Sequence, residues 1–86
     1  MSFVYVLRSV RTGRTYVGFS AHPRYRLEQH NEGVTKSTKG RGPWELVYED
    51  GLATRPEAMR RERYFKTGKG REELRRILGL RERTHG

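Results

Sequence analysis

The apolar positions near the amino end of the chain predict a β-hairpin. Residues 3–7 and 15–20 are rich in β-branched and aromatic side chains, which favour strands. The polar residues 11–14 between them contain a glycine and predict the turn. Because this connection is short, the two strands are expected to be antiparallel. A third strand is predicted over residues 44–48, but the pattern leaves its direction open.

One helix and one basic loop are predicted between the second and third strands. Pro23 suits the first turn of a helix, and Gly33 suits the position just after its last turn. We therefore predict a helix over residues 23–31. Residues 35–43 are polar, basic and contain glycine, so we predict that they form a mobile loop.

Two further helices are predicted after the third strand. Thr54 and Glu57 have the spacing of a capping box, which indicates the start of a helix that ends near Gly68. A last helix is predicted over residues 71–78, with acidic residues in its first turn. The predicted order is β-β-α-β-α-α, an α+β fold in which helices flank a small three-stranded sheet.

Length and composition indicate one small soluble domain. Of the 86 residues, we expect 1–80 to form the domain and 81–86 to be a frayed tail. No apolar run is long enough to span a membrane, and the first residues lack the features of a signal peptide. The absence of cysteine excludes disulfides, thiolate zinc sites and a cysteine nucleophile. We expect a cytoplasmic protein, associated with the nucleoid if the source is bacterial.

Charge is the strongest compositional signal. Lysine and arginine number 19 against 10 acidic residues, which gives a formal charge of +9. Such a small basic protein attracts polyanions, most often nucleic acid, although a basic protein can also be merely soluble. Most of the cations are arginine, whose planar fork suits phosphate.

Glu62 is the carboxylate whose position needs an explanation. It lies four residues after Ala58 and three before Phe65, so it falls on the apolar stripe of its predicted helix. An unpaired charge there would be costly. A salt bridge to one of the arginines or a place at the edge of the stripe would explain it. A divalent metal ion is the third explanation, because Mg²⁺ often takes only one or two protein carboxylates.

Four other side chains could handle a phosphate or serve the core. Arg26 and His30 are four residues apart on the first helix, so their side chains can converge. An arginine side chain can bind two phosphate oxygens at once, and a histidine can donate or accept a proton near neutral pH. Tyr5 and Tyr16 lie on neighbouring strands of the hairpin. Taken singly, both tyrosines and the histidine fit structural roles better than functional ones.

Several short segments together resemble the GIY-YIG nuclease superfamily, specifically its small single-domain members. Each segment is weakly informative alone, but their order and spacing are specific and cover residues 3–78. The segments are FVY at 3–5, YVG at 16–18, RLEQHN at 26–31, PWELVY at 43–48 and AMRRERYFK at 58–66.

The resemblance implies phosphodiester hydrolysis with one divalent metal ion, Mg²⁺ or Mn²⁺. By their positions in the motifs, Tyr5 would be the general base or would orient the attacking water, with Tyr16 beside it. Arg26 would hold the scissile phosphate, and His30 would assist by hydrogen bonding or proton transfer. Glu62 would be the sole protein ligand of the metal.

The chain departs from other members of the superfamily at three places. The first motif has Phe3 and Val4 where the family name has glycine and isoleucine. Phe19 stands where some members carry a lysine. Asn31 is the only asparagine, so the late asparagine of some members has no counterpart.

The leading hypothesis is a metal-dependent, structure-selective endonuclease acting on DNA, possible roles being repair or recombination. DNA is favoured over RNA, no membrane partner is expected, and a protein partner could supply specificity. The pattern does not fix the oligomeric state. Nucleic-acid contacts are predicted from Lys36, Lys39, Arg41 and Lys66, although residues 35–42 could equally be a solvated loop. The alternatives are a non-catalytic nucleic-acid-binding module with the same fold and a protein that docks on an acidic partner.

Overall fold

The computed structural model describes residues 1–36 and 38–83, which form a three-stranded antiparallel sheet and three helices. The strands are β1 (Ser2–Ser9), β2 (Thr15–Ser20) and β3 (Trp44–Leu52). β1 lies in the middle, and both neighbours run antiparallel to it. The predicted α+β class and element order are confirmed.

The helices are α1 (Pro23–Asn31), α2 (Arg55–Phe65) and α3 (Gly68–Arg83). Local chemistry explains where the first two begin and end. Pro23 occupies the first turn of α1, and Gly33 just beyond it has a φ of +78°, which favours glycine. Thr54 caps α2 because its hydroxyl oxygen accepts a hydrogen bond from the Glu57 amide at 3.4 Å.

Some elements are longer or shorter than the sequence pattern predicts. β1 and β3 each extend further because they pair along their whole length, with Ser2 opposite Leu52 and Ser9 opposite Trp44. α2 ends at Phe65, slightly earlier than predicted, and α3 begins at Gly68 rather than at residue 71. α3 also continues to Arg83, into the segment predicted to fray, whereas residues 84–86 lie outside the described part of the chain.

The central strand is buried on both faces. Val4 and Val6 face one side, where they pack with Phe65 of α2 and Leu74 of α3. Tyr5 and Leu7 face the other side, together with Trp44 and the half-buried side chains of Tyr16 and Leu27. The two-residue period of a strand therefore divides the core into two clusters, with α1 over one and α2 and α3 over the other. None of the helices in residues 1–36 and 38–83 has the length and apolarity that a membrane span requires.

The junction between α2 and α3 depends on a glycine. Gly70 is buried in the first turn of α3, and a Cβ atom there would overlap the backbone carbonyl group of Tyr64. Backbone atoms cannot move aside as the end of a flexible side chain can. The close approach of Gly70 therefore fixes how α3 packs on the end of α2.

Two glycines of α3 give a matched test of this packing. Gly70→Ala is expected to lower the free energy of unfolding by about 2 kcal/mol or more, because the added methyl group must push the two helices apart. Gly79→Ala is expected to raise it by up to about 1 kcal/mol, because alanine is the better helix former and no described atom lies within 4 Å of the new Cβ. Urea denaturation followed by circular dichroism measures both. Equal effects of the two substitutions would contradict the packing role of Gly70.

Candidate functional site

Tyr5 is the centre of the candidate site. It lies on the central strand, is only 1% exposed, and points to the α1 side of the sheet. Gly18 lies directly opposite it on β2. A Cβ atom at Gly18 would stand 2.6 Å from the phenol oxygen of Tyr5, so any larger residue would displace the ring. The absence of a side chain at Gly18 therefore makes room for the Tyr5 phenol.

His30 is a buried link between the sheet and the loop that follows α1. It is 2% exposed, with Nε2 at 3.2 Å from the Tyr5 hydroxyl and Nδ1 at 2.7 Å from the Thr38 hydroxyl. Thr38 donates its own hydroxyl proton to the carbonyl oxygen of Thr35. The tautomer that satisfies all three contacts has Nδ1 donating to Thr38 and Nε2 accepting the proton of the Tyr5 hydroxyl, and we assign it on that ground.

The environment keeps both partners of this hydrogen bond neutral. Burial lowers the pKa of His30 below its usual 6.5, and the nearby charge of Arg26 lowers it further. Burial raises the pKa of Tyr5 above its usual 10.0, and the charges of Tyr16 and Glu62 act in the same direction, while Arg26 opposes them. The phenol therefore keeps its proton at neutral pH and directs it at an unprotonated imidazole nitrogen.

Tyr16 and Arg26 lie beside this pair. The half-buried Tyr16 packs its ring on His30, with the ring centroids 4.8 Å apart and the planes at 57°. Arg26 is one turn before His30 on α1, and its Nη1 donates to the side-chain oxygen of Gln29 at 2.6 Å. The structure thus brings together the tyrosines and the histidine that the sequence motifs singled out, with Arg26 close enough to act on the pKa of Tyr5 and of His30.

Glu62 approaches the group from α2. Its side chain is 17% exposed, in keeping with the predicted place on or beside the apolar stripe. Its carboxylate lies 3.4 Å from Nζ of Lys66, one turn later on the same helix. A salt bridge was one explanation for a carboxylate at this position, and its partner is Lys66 rather than an arginine. The charge of Glu62 also reaches Tyr5, where it helps to raise the pKa of the phenol.

The side chains at the site suit a metal ion that needs few protein ligands. Across residues 1–36 and 38–83, no three histidine or acidic side chains come close enough to form a metal cage. Glu62 supplies one partly exposed carboxylate next to an open surface. This donor set fits Mg²⁺ or Mn²⁺ with most of the coordination shell left to water and phosphate, and it does not fit a structural zinc site.

The loop between α1 and β3 contains a buried residue that the sequence did not indicate. Thr38 is 1% exposed, and its carbonyl oxygen accepts a hydrogen bond from the Trp44 indole at 3.2 Å. In a polar, basic stretch no periodicity marks one threonine as buried. The loop cations Lys36, Lys39 and Arg41 are exposed. Within the described part of the chain they form no hydrogen bond or ion pair with the side chains around Tyr5, so their predicted contact with nucleic acid stays a prediction.

The side chain of Asn31, at the end of α1, has a structural role, because it is hydrogen-bonded to the backbone of Trp44. Its side-chain oxygen accepts from the Trp44 amide at 2.6 Å, and its side-chain nitrogen donates to the Trp44 carbonyl oxygen at 3.1 Å. These two hydrogen bonds tie the end of α1 to the start of β3. The asparagine therefore positions Trp44, and through it the loop that covers His30.

Comparisons with known proteins identify the family of this chain. The family model described as the GIY-YIG catalytic domain matches residues 1–75. A UPF0213 protein of Streptococcus pneumoniae is 41% identical over 69 residues, which is 79% of this chain and 69% of the relative. A UPF0213 protein of Staphylococcus aureus is 38% identical over 76 residues, which is 87% of this chain and 92% of the relative.

A solved structure is similar as well. The solution NMR structure of a UPF0213 protein from Bacillus halodurans superposes with a TM-score of 0.53 at 32% sequence identity. The similarity covers 90% of this chain and 85% of that one. With the family match over most of its length, the chain belongs to the GIY-YIG family, a family of nucleases.

Proposed function

We propose that this protein is a metal-dependent endonuclease that hydrolyses phosphodiester bonds in DNA, selects its substrate by structure and acts in repair or recombination. The observation that carries the proposal is the surroundings of Tyr5. Its buried phenol is hydrogen-bonded to a histidine, and the charges of Arg26 and of the mostly buried Glu62 act on its pKa. A core tyrosine needs none of these neighbours, whereas phosphodiester hydrolysis uses each of them.

Tyr5 and His30 provide a path for the proton of the attacking water. A neutral phenol is a poor base, but Tyr5 can pass its own proton to His30 Nε2 while it accepts one from water. The two atoms are already 3.2 Å apart and correctly paired as donor and acceptor. The Nδ1 bond to Thr38 fixes the imidazole so that Nε2 faces Tyr5. This arrangement matches the geometric requirement for general base catalysis.

Arg26 is suited to hold the scissile phosphate. The hydrogen bond from Nη1 to Gln29 orients the guanidinium, and an interaction with the Tyr5 hydroxyl, which opposes the rise of the phenol pKa, holds it at the site. A guanidinium binds two phosphate oxygens at once and stabilises the charge that develops on them during attack. Held by Gln29, Arg26 would need little reorganisation when substrate binds.

Glu62 would hold the divalent ion, as the donor set allows. When bound, the ion supplies charge stabilisation to the phosphate and to the leaving oxygen. Lys66 balances the carboxylate charge at 3.4 Å and would have to move away first. About half of the Lys66 side chain is exposed, so it is free to turn toward solvent or toward a phosphate.

A non-catalytic nucleic-acid-binding module is the second candidate. The observation that favours it is the same ion pair, because Lys66 gives Glu62 a partner without any metal. Such a module would bind nucleic acid with a strong salt dependence and cleave no substrate. Cleavage assays separate the two candidates directly.

The role of Glu62 is tested with fluorescent DNA as single strands, blunt duplexes, flaps and branched junctions. We expect cleavage with Mg²⁺ or Mn²⁺, none with EDTA, and a loss of about 100-fold or more for Glu62→Gln, because the ion contributes several kcal/mol to the transition state. Glu49→Gln is the control, since Glu49 is exposed on β3 and its loss changes the net charge equally. Cleavage that survives both EDTA and Glu62→Gln would contradict the proposal.

The proton path predicts a pH dependence. Protonated His30 cannot accept the Tyr5 proton, and its pKa is lowered from 6.5, so activity should hold at pH 6.5 and fall only below it. His30→Gln should remove this acidic limb and reduce the rate by about 100-fold to 10,000-fold, the range for a general acid or base. Initial rates between pH 5 and 8 measure both.

The exposed His22 supplies the control for this pH profile, because His22→Gln removes a histidine outside the hydrogen-bonded group. It should leave the profile unchanged. Circular dichroism spectra at each pH establish that the variants stay folded. An acidic limb that persists in His30→Gln would contradict the proton path.

The ion pair between Lys66 and Glu62 should lower the affinity of Glu62 for a metal ion. Lys66→Gln should tighten Mn²⁺ binding by a factor of about 1.4 to 5, because exposed ion pairs of this kind are worth about 0.2–1 kcal/mol. Electron paramagnetic resonance of free Mn²⁺, without nucleic acid, measures the affinity. Lys69→Gln is the matched control, since Lys69 is exposed and forms no ion pair within the described residues. Equal affinities of the two variants would contradict competition between Lys66 and the ion.

A further inference from the structure

A basic cleft lies next to the candidate site, between the β1–β2 turn and α3. Its volume is about 610 Å³. Four of its lining residues are cations, none is acidic, and the floor is apolar. The cations are Arg14, Lys66, Arg71 and Arg75, and the floor consists of Val17, Phe65, Leu74 and Leu78.

The cations of the cleft come from three separate parts of the chain. Arg14 belongs to the turn before β2, and Lys66 follows α2. Arg71 and Arg75 are four residues apart, so they lie on one face of α3. The fold thus brings four like charges, which repel one another, to the lining of one cleft. The repulsion among these cations costs free energy, and a bound anion would relieve it.

The three arginines of the cleft form no ion pair with the side chains that the structure describes. All of them are exposed, and among the side chains described for residues 1–36 and 38–79 no carboxylate forms an ion pair with Arg14, Arg71 or Arg75. Other cations of the chain do pair internally, as Arg61 does with Glu73. The arginines of the cleft are therefore available to an external anion.

The cleft shares two residues with the group of side chains around Tyr5 and Glu62. Tyr16 lines the cleft and also packs on His30, while Lys66 lines the cleft and pairs with Glu62. A chain of phosphates bound along the arginines would therefore lead directly to the side chains proposed to cut it. A ligand unrelated to the reaction would not need these shared residues.

We propose that the cleft binds an unpaired nucleic-acid strand next to the scissile phosphate, with phosphates on the arginines and a base against the apolar floor. The inference rests on the proposed nuclease function, whose substrate class it specifies. A duplex keeps its bases stacked inside and would present only phosphates. A concave surface with both cations and an apolar floor suits a strand whose bases are free. The substrate is then a branched or frayed nucleic acid with a single-stranded arm.

The experiment measures binding rather than cleavage. A fluorescein-labelled single-stranded 15-mer and a blunt duplex of the same length are titrated with protein in EDTA, and fluorescence anisotropy reports binding at several salt concentrations. The test variant is Arg71→Gln/Arg75→Gln. The control is Arg60→Gln/Arg76→Gln, which removes the same charge from exposed helical arginines that do not line the cleft.

The two variants give distinct expected results. Arg71→Gln/Arg75→Gln should weaken binding of the single strand about tenfold and reduce the slope of log affinity against log salt by about 1.4, the value for two lost phosphate contacts. Binding of the duplex should fall much less. The control pair should change single-strand affinity by less than the test pair does.

Other outcomes would overturn the inference. An equal loss in the control pair would mean that net charge alone attracts the strand. An equal loss for the duplex would make the cleft a duplex-backbone site. Failure of the cleft is distinguishable from failure of the nuclease. If the protein cleaves DNA while the test pair binds normally, only the cleft is wrong. If the test pair loses affinity but no substrate is cut, only the nuclease is wrong.

Discussion

A single series of buried hydrogen bonds, from Tyr5 through His30 and Thr38 to Trp44, ties β1, α1 and β3 to one another. These four residues belong to β1, α1, the following loop and β3, and each is at most 5% exposed. A buried polar group that loses its partner costs free energy, so these four hydrogen-bonded residues hold one another in place. The loop is therefore fixed over His30, and the imidazole can present only one nitrogen to Tyr5.

The fold was predictable where local chemistry decides the structure. Pro23 and Gly33 mark the two ends of α1, and Thr54 marks the start of α2, because each acts on its own backbone or on a neighbour a few residues away. The order of the strands was not predictable, because the pairing of Ser2 with Leu52 depends on tertiary contacts. The early start of α3 was missed for the same reason, since Gly70 fits against Tyr64 of another helix.

The candidate site likewise has features that local sequence predicts and features that only the tertiary structure shows. The position of Glu62 on or beside an apolar stripe follows from helical periodicity, and its 17% exposure agrees with that expectation. The burial of Thr38 could not be seen, because an irregular loop has no period. In the cleft, the spacing of Arg71 and Arg75 is visible in the sequence, but their meeting with Arg14 across the β2 edge is a property of the folded chain. The sequence motifs thus indicated which side chains gather around Tyr5, but they did not indicate the surface of the cleft.

Lys66 couples the two parts of the proposed function. Lys66 lines the cleft and also pairs with Glu62. A single ammonium group cannot fully neutralise both the Glu62 carboxylate and a phosphate in the cleft. A phosphate in the cleft that attracts Lys66 would leave Glu62 free for a divalent ion. An ion at Glu62 would likewise leave Lys66 free for the phosphate. Because such coupling is reciprocal, each ligand should raise the affinity for the other by the same factor. The protein would then assemble its metal site mainly when a strand is in place.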